Sequence, residues 1–253
     1  MDFEADAPRL RRALRDLVAL AVVPAAWVGR EPLAIAAGLA DVLVNSLRLD
    51  FAFVRLCDPN GEAAVEIARN AKDRHPYVVG FNLAGDEAGY PPGQFARAYE
   101  IASGAGLGCT VHAGEHAGAE SVREALTLPV SRISHGVRAT EDPELVRELA
   151  ARGIVLEACP TSNVATGVYT GYETHPLRDL YEAGVKVTLG SDDPPYFGAS
   201  IGGEYAVARE RLGFEEGELR SITRTAIQAS FADDALKRAL LKRLTPMADR
   251  ASE

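Results

Sequence analysis

The sequence predicts a parallel α/β fold, an incomplete βα barrel of about five units preceded by a differently patterned N-terminal segment. Three observations predict it. Five short apolar runs occur at residues 77–83, 108–112, 132–135, 153–158 and 185–189. They are rich in Val, Ile and Leu and hardly alternate, as expected of parallel strands covered on both faces. They recur about every 20–32 residues, the length of a strand, a helix and two connections.

Taken in order, the segments between the runs read as helices at 94–103, 119–126, 143–151 and 176–183. Pro143 and Pro176 sit near helix starts, where a missing N–H does no harm. Gly106, Gly153 and Gly184 come just before strands, where left-handed caps end helices. After the last strand, 200–212, 215–229 and 232–243 carry helical periodicity.

Residues 1–70 differ. Segments 8–20 and 31–47 have helical spacing, with Leu33, Ala36, Ala40, Leu43 and Leu47 on one stripe. Two apolar runs, 51–56 and 63–68, flank Asp58-Pro59-Asn60-Gly61, and Asn-Gly in that setting predicts a β-hairpin. A hairpin is foreign to a parallel barrel, so a boundary is expected near 70–74, dividing 1–70 from 71–253.

The chain has 253 residues and a net charge of −9. Residues 1–70 hold 8 basic and 10 acidic side chains, and the remainder 19 and 26. Both parts are acidic, which argues against a surface that tracks nucleic-acid phosphates. The apolar run at 17–28 is short, is broken by Pro24 and follows an acidic start, so an amphipathic helix is expected there rather than a signal peptide or membrane anchor. Cys57, Cys109 and Cys159 are few and far apart. No disulfide framework follows, and a reducing cytoplasmic setting is expected.

In a parallel barrel the C-terminal ends of the strands carry the active site. His112, His135 and the pair Asp192-Asp193 all fall there. His112 and Glu115 bracket a tight turn, and a carboxyl in a dry pocket can be driven toward neutrality and serve as an acid. His135 can ligate a metal, face a metal-bound water or bond to a neighbouring carbonyl. Two adjacent carboxylates at a strand end repel each other unless one is bound or protonated. The plain alternatives are a Glu115 that is solvated or caps the helix beginning near Ala119, and an aspartate capping the next turn. Gly85, followed by Asp86 and Glu87, sits at the same rim, where a missing side chain lets backbone N–H groups approach a flat ligand; it reads equally well as a plain loop glycine, and the two carboxylates as solvated.

These residues resemble a family. The stretches Val79-Gly80-Phe81-Asn82-Leu83-Ala84-Gly85-Asp86-Glu87, Thr110-Val111-His112-Ala113-Gly114-Glu115, Ser134-His135-Gly136, Cys159-Pro160-Thr161-Ser162-Asn163 and Gly190-Ser191-Asp192-Asp193-Pro194-Pro195 are similar, in order, to the motifs of the adenosine deaminase family. The resemblance spans roughly residues 75–245. It implies a zinc hydrolase on a (β/α)8 TIM-type barrel, acting on a small purine nucleoside or base. By match, His112 and Asp192 would hold zinc, Glu115 would protonate ring N1 and His135 would orient the attacking water. Asp193 would hold N7 and the backbone at Gly85 would hold N3. The segment Asp193–Gly198 looks like adenine-using relatives and Gly203-Glu204-Tyr205 like adenosine-using ones, and the reading leans to adenosine.

The sequence also departs from the family. No two of its five histidines are two residues apart, so the family's His-x-His metal pair has no counterpart. Residues 1–70 weakly resemble the start of a GAF-type domain instead, through Pro24-Ala25-Ala26-Trp27-Val28-Gly29-Arg30. Two ligands hold zinc more loosely than four, which predicts weak metal binding and little turnover. The alternative to an active deaminase is therefore an inactive chimera or scaffold that keeps part of a purine pocket. A sheet of five strands exposes two edges, which predicts homo-oligomers through edge pairing.

Overall fold

The computed structural model describes residues 78–244, together with Ala64, Val65, Ile67, Ala68 and Arg69. The expectations for residues 1–63 lie outside the described residues. The second hairpin arm, 63–68, is corrected: Ala64, Val65 and Ile67–Arg69 are helical. The physical reason is composition, since alanines with Glu62 and Glu66 between them are good helix formers and outweigh the apolar run.

Five strands form one sheet: β1 (Gly80–Leu83), β2 (Gly108–Ala113), β3 (Arg132–His135), β4 (Val155–Ala158) and β5 (Lys186–Leu189). They pair in sequence order and every pair is parallel. This is a partial barrel arrangement of βα units, with β1 and β5 at its edges among the described residues. Each expected strand is present: β1, β4 and β5 start later than expected, β3 has the expected bounds and β2 runs one residue further, to Ala113.

The register sorts side chains by face. Val111, Ile133, Leu156 and Val187 are successive partners and are at most 1% exposed. They form the apolar row that the crossover helices cover. The other face carries the successive partners His112, Ser134, Glu157 and Thr188, and beside them Thr110 opposite Arg132. Glu157 satisfies this polar face by accepting from Thr110 Oγ1 at 3.2 Å and Ser134 Oγ at 2.9 Å, and by pairing with Arg132 at 3.2 Å. One face therefore supplies apolar burial and the other a polar lining.

The helices follow their local signals. α1 (Ala96–Gly104) runs on from a 3₁₀ turn at Pro92–Phe95, and α2 (Ala119–Ala125) follows the Glu115 loop. α3 (Pro143–Arg152) starts where the Asp142 side chain accepts from the Glu144 and Leu145 N–H groups, with Pro at the first helical position. It stops at Gly153, which, like Gly106 and Gly184 before the other strands, has a left-handed φ (+66°, +80° and +83°). α5 (Leu177–Glu182) precedes β5. Two short proline-led helices were not foreseen, α4 (Pro160–Ala165) and α6 (Pro194–Phe197), each directly after a strand end.

α7 (Ile201–Glu210) is capped by Ser200, whose hydroxyl accepts from the Gly203 N–H. α8 (Glu216–Ala229) opens with a capping box between Glu215 and Glu218, packs along β5 and carries α9 (Asp234–Leu244). None of the described helices is long and apolar enough to cross a membrane.

Candidate active site

All five strands deliver a polar group to the same C-terminal rim. From β1 comes Glu87, from β2 His112 and Glu115, from β3 His135. From β4 come Cys159, Ser162 and Asn163, and from β5 Asp192. Their contacts with one another place them around a common site.

His112 lies within β2, and its Nδ1 is 2.9 Å from the carbonyl oxygen of Leu83. A carbonyl only accepts, so Nδ1 carries the proton and Nε2 keeps its lone pair. Burial lowers the ring's pKa, keeping it neutral. A neutral imidazole with its other nitrogen tied to a carbonyl is the usual state of a metal-ligating histidine. The ring of His112 lies 5.3 Å from that of His135, centroid to centroid.

The chain turns sharply at Gly114, with φ +66° and Val122 packed beneath it. A Cβ there would meet Val122 Cγ2 at 2.4 Å, so only glycine fits. The turn aims Glu115 back toward the sheet. Its backbone N–H is held by Glu87, whose carboxylate accepts from Glu115 N at 3.1 Å and Ala117 N at 2.9 Å. Glu87 is only 5% exposed, so the solvated reading of that carboxylate is corrected. The reason is geometric: the loop after β1 folds against the loop after β2, which offers two backbone donors that need an acceptor. Asp86 does stay on the surface and accepts from Ala88 and Gly89 N–H groups.

The Glu115 carboxyl is pushed up to about 7. Burial is the main cause, His116 opposes it, and Asp192, Glu87 and Asp193 add to the rise. A carboxylic acid that still holds its proton near neutrality can donate it. Glu115 Oε2 lies 3.4 Å from His135 Nε2, and Oε1 lies 3.6 Å from His116 Nε2.

His135 closes β3 with φ +62°, an unusual backbone state for a residue with a Cβ. Asp192 has the same feature, at φ +52°. Of the described residues other than glycine, these two alone have positive φ, and both face the site. His135 is 1% exposed and its pKa falls to about 4, first through burial and then through neighbouring His112. Asp192 Oδ2 accepts from Ser162 Oγ at 2.7 Å and lies 3.9 Å from His135 Nε2.

Candidate ligand atoms of His135, Cys159 and Asp192 all lie within 4.8 Å of one another. The Cys159 thiol is buried, and burial pushes its pKa far above neutrality. Asp193 is exposed and begins α6, but its side chain makes no cap bond, so the capping alternative is not realised through its carboxylate. Gly85 is exposed at the rim with φ +145°, a region open essentially to glycine.

The sequence reading named Glu87, Cys159, Ser162 and Asn163 only as members of motif stretches and gave none of them a role in the site. The signal for the last three was their position straight after a strand end. For Glu87 no local signal existed, because its partners are 28 and 30 residues away.

The adenosine deaminase profile matches residues 33–247. The chain belongs to the adenosine deaminase family. The match takes in residues 33–70, which the sequence reading grouped with the GAF-like stretch. An adenine deaminase of Sinorhizobium medicae (strain WSM419) is 52% identical over 185 residues, covering 72% of this chain and 57% of that protein. One from Sinorhizobium fredii is 53% identical over 69% of this chain and 54% of its own length. The chain thus spans little more than half of these relatives.

Among solved structures, adenine deaminase from Arthrobacter aurescens superposes with a TM-score of 0.72 at 29% identity, over 92% of this chain and 77% of that one. An amidohydrolase from Burkhoderia ambifaria with bound zinc gives 0.71 at 28% identity, over 87% and 62%. Family membership and the His/Cys/Asp cluster together support zinc as the cofactor.

Proposed function

We propose that this chain hydrolyses the 6-amino group of a purine, with adenine as the favoured substrate, releasing ammonia and the 6-oxopurine. The observation that carries the proposal is the Glu115 carboxyl, held at a pKa of about 7 and 3.4 Å from a buried neutral imidazole. An acid that still holds part of its proton at neutral pH is what protonation of an aromatic ring nitrogen needs.

His112 and Asp192 fit zinc best: one has a free ring lone pair, the other a carboxylate fixed by Ser162. When bound there, zinc would supply the Lewis acidity that makes water a nucleophile at neutral pH. The chain's own groups do the rest. Glu115 gives its proton to ring N1 as water adds at C6. His135 orients the incoming water with a ring N–H. Asp193 and the backbone at Gly85 hold the far edge of the purine, at N7 and N3.

Adenine is favoured over adenosine by the relatives' names, and Glu204 does not decide between them. That residue belongs to the stretch that looked adenosine-like, yet it is 1% exposed and accepts from the Thr161 N–H at 3.1 Å. That bond ties α7 to α4, while Glu204 Oε1 is buried with no hydrogen-bond partner among the described residues.

A second reading, an inactive chain that retains the purine pocket, is favoured by one observation. The sequence has five histidines and none two residues apart, so the family's His-x-His pair is missing from the candidate ligands. Metal analysis with an adenine turnover assay separates the two. Near one zinc per chain, with ammonia release abolished by His112→Ala, supports the deaminase. Adenine binding by calorimetry, without zinc or turnover in zinc-supplemented buffer, supports the inactive reading.

A further inference from the structure

His135 does not stand alone behind the site. Its Nδ1 is 3.2 Å from Asn163 Nδ2, and Asn163 Oδ1 is 3.1 Å from His175 Nε2. His175 Nδ1 in turn is 3.2 Å from the backbone N of Leu177. All three side chains are buried, at 1%, 0% and 5% exposure. His175 packs edge-on against Tyr169 and had no role in the sequence reading.

The proton positions along this chain follow from one fixed point. The Leu177 N–H is a backbone donor and cannot reverse its role. His175 Nδ1 must therefore accept, so the ring is neutral with its proton on Nε2. Nε2–H then donates to Asn163, and the amide atom facing it must be the oxygen. The other amide atom is the NH₂, which donates to His135 Nδ1. That leaves the His135 proton on Nε2, the atom that lies 3.4 Å from Glu115 Oε2 and 3.9 Å from Asp192 Oδ2. Neither the amide orientation nor either ring tautomer is free once the backbone donor is set.

We propose that Asn163 and His175 are positioning residues that lock His135 as the Nε2–H tautomer, so that it presents a hydrogen-bond donor to the site rather than a metal-binding lone pair. The role in catalysis rests on the deaminase reading above, but the tautomer does not. His135 then serves as a donor near the metal, and the ligands are left to His112, Asp192 and groups beyond this cluster. Burial supports the neutral state of His175, whose pKa falls to about 4.

Long-range ¹H–¹⁵N correlation on ¹⁵N-histidine-labelled protein tests this at pH 7, as purified and after zinc addition. Single-histidine substitutions assign the rings. The expected result is a pyrrole-like Nε2 and a pyridine-like Nδ1 for both His135 and His175. In Asn163→Asp, a carboxylate accepts from both rings, so His135 should switch to Nδ1–H while His175 stays unchanged. His175→Gln keeps an amide donor and should leave His135 as in the parent, whereas His175→Leu should give mixed His135 tautomers.

If the enzyme turns over, Asn163→Asp should lower kcat about 10–100-fold with KM changed less than threefold, and His175→Gln should retain most of the rate. A His135 found as Nδ1–H in the parent protein overturns the proposal. So does an Asn163→Asp variant that folds with the His135 tautomer unchanged. Should Asn163→Asp fail to fold, the His175→Gln and His175→Leu pair decides by the same spectrum. A chain without turnover but with the expected spectra would sink the deaminase reading and leave the lock standing.

Discussion

Glu115 Oε2 and His135 Nε2 lie 3.4 Å apart, yet they are not an ion pair at neutral pH. Burial raises the acid to about 7 and lowers the base to about 4, so each is driven toward its uncharged form. At neutral pH the imidazole is uncharged and the acid is near half-titration, so the contact is a close polar pair and not a salt bridge. One group can lose a proton to substrate, and the other can hold water by its N–H.

This pair sets a pH signature for stability in the metal-free protein. Between about pH 4.5 and 7 native Glu115 keeps a proton that the unfolded chain has lost, so its contribution falls as pH rises. His135 acts oppositely: between about pH 4 and 6.5 the unfolded chain holds a proton that the native ring lacks, so stability rises with pH. The two slopes offset one another in the overlap. Glu115→Gln removes only the first. It should therefore stabilise the protein above pH 7, by about 1–3 kcal/mol after allowing for residual solvent access, with no gain near pH 4. Thermal melts at pH 4.5, 6 and 8 check this; an equal shift at all three would contradict it.

Activity should mirror the same ionisation. With Glu115 as the proton donor, kcat/KM for adenine should decline as pH passes about 7. Glu115→Gln should cut it by at least about 100-fold and erase that limb. A pH–rate profile still falling near 7 in the variant would place the titrating acid elsewhere.

Glu87 fixes the loop that carries the proposed acid. It is buried and accepts from the backbone of residues 115 and 117. Glu87→Ala leaves those N–H groups unpaired and should destabilise the fold by about 2–4 kcal/mol. Glu87→Gln keeps one acceptor oxygen and should cost less, while slowing turnover because the Glu115 loop loses its fixed angle. Chemical denaturation and kcat in both variants test the order. Glu87→Ala as stable as the parent would mean the clamp has no energetic consequence.

The parallel sheet was legible because five buried strands need continuous apolar runs, and residues such as Val111, Ile133 and Leu156 supply them. The rim residues His112, Glu115, His135 and Asp192 were legible because strand ends could be placed. What could not be read was anything joining distant loops. Glu87 meets residues 28 and 30 positions away, and Asn163 links rings at 135 and 175. Neither pairing leaves a periodic trace. The hairpin expected over 51–68 failed at Ala64, Val65 and Ile67–Arg69 because an Asn-Gly turn signal says nothing about the helix propensity of the arm after it.

Zinc binding should depend on His112 and on the hydroxyl that fixes Asp192. His112→Ala removes the ring whose Nε2 lone pair is free and should weaken zinc by about 100-fold or more. Ser162→Ala leaves the ligand in place but frees its orientation, for a loss of about tenfold. Competition titration against a chromophoric chelator measures both. Equal affinities in parent and His112→Ala would move the metal to another set of side chains.

The far end of the sheet offers a test of the fold that is independent of the chemistry. Gly80 and Gly108 pair across β1 and β2, and the Phe231 ring lies against both. A Cβ on Gly108 would meet Phe231 Cδ1 at 2.2 Å, and one on Gly80 would meet Cδ2 at 2.7 Å. The same ring lies 4.0 Å from the Arg132 guanidinium carbon, a cation–π contact on the polar face. Gly108→Ala should therefore destabilise by about 1–3 kcal/mol through overpacking. Phe231→Leu alone should also destabilise, because it loses ring burial and the cation–π contact. The double variant should recover part of the Gly108→Ala loss, giving a coupling of at least about 0.5 kcal/mol. Additive losses in denaturant titrations would mean that Phe231 does not sit over the β1–β2 glycines in solution.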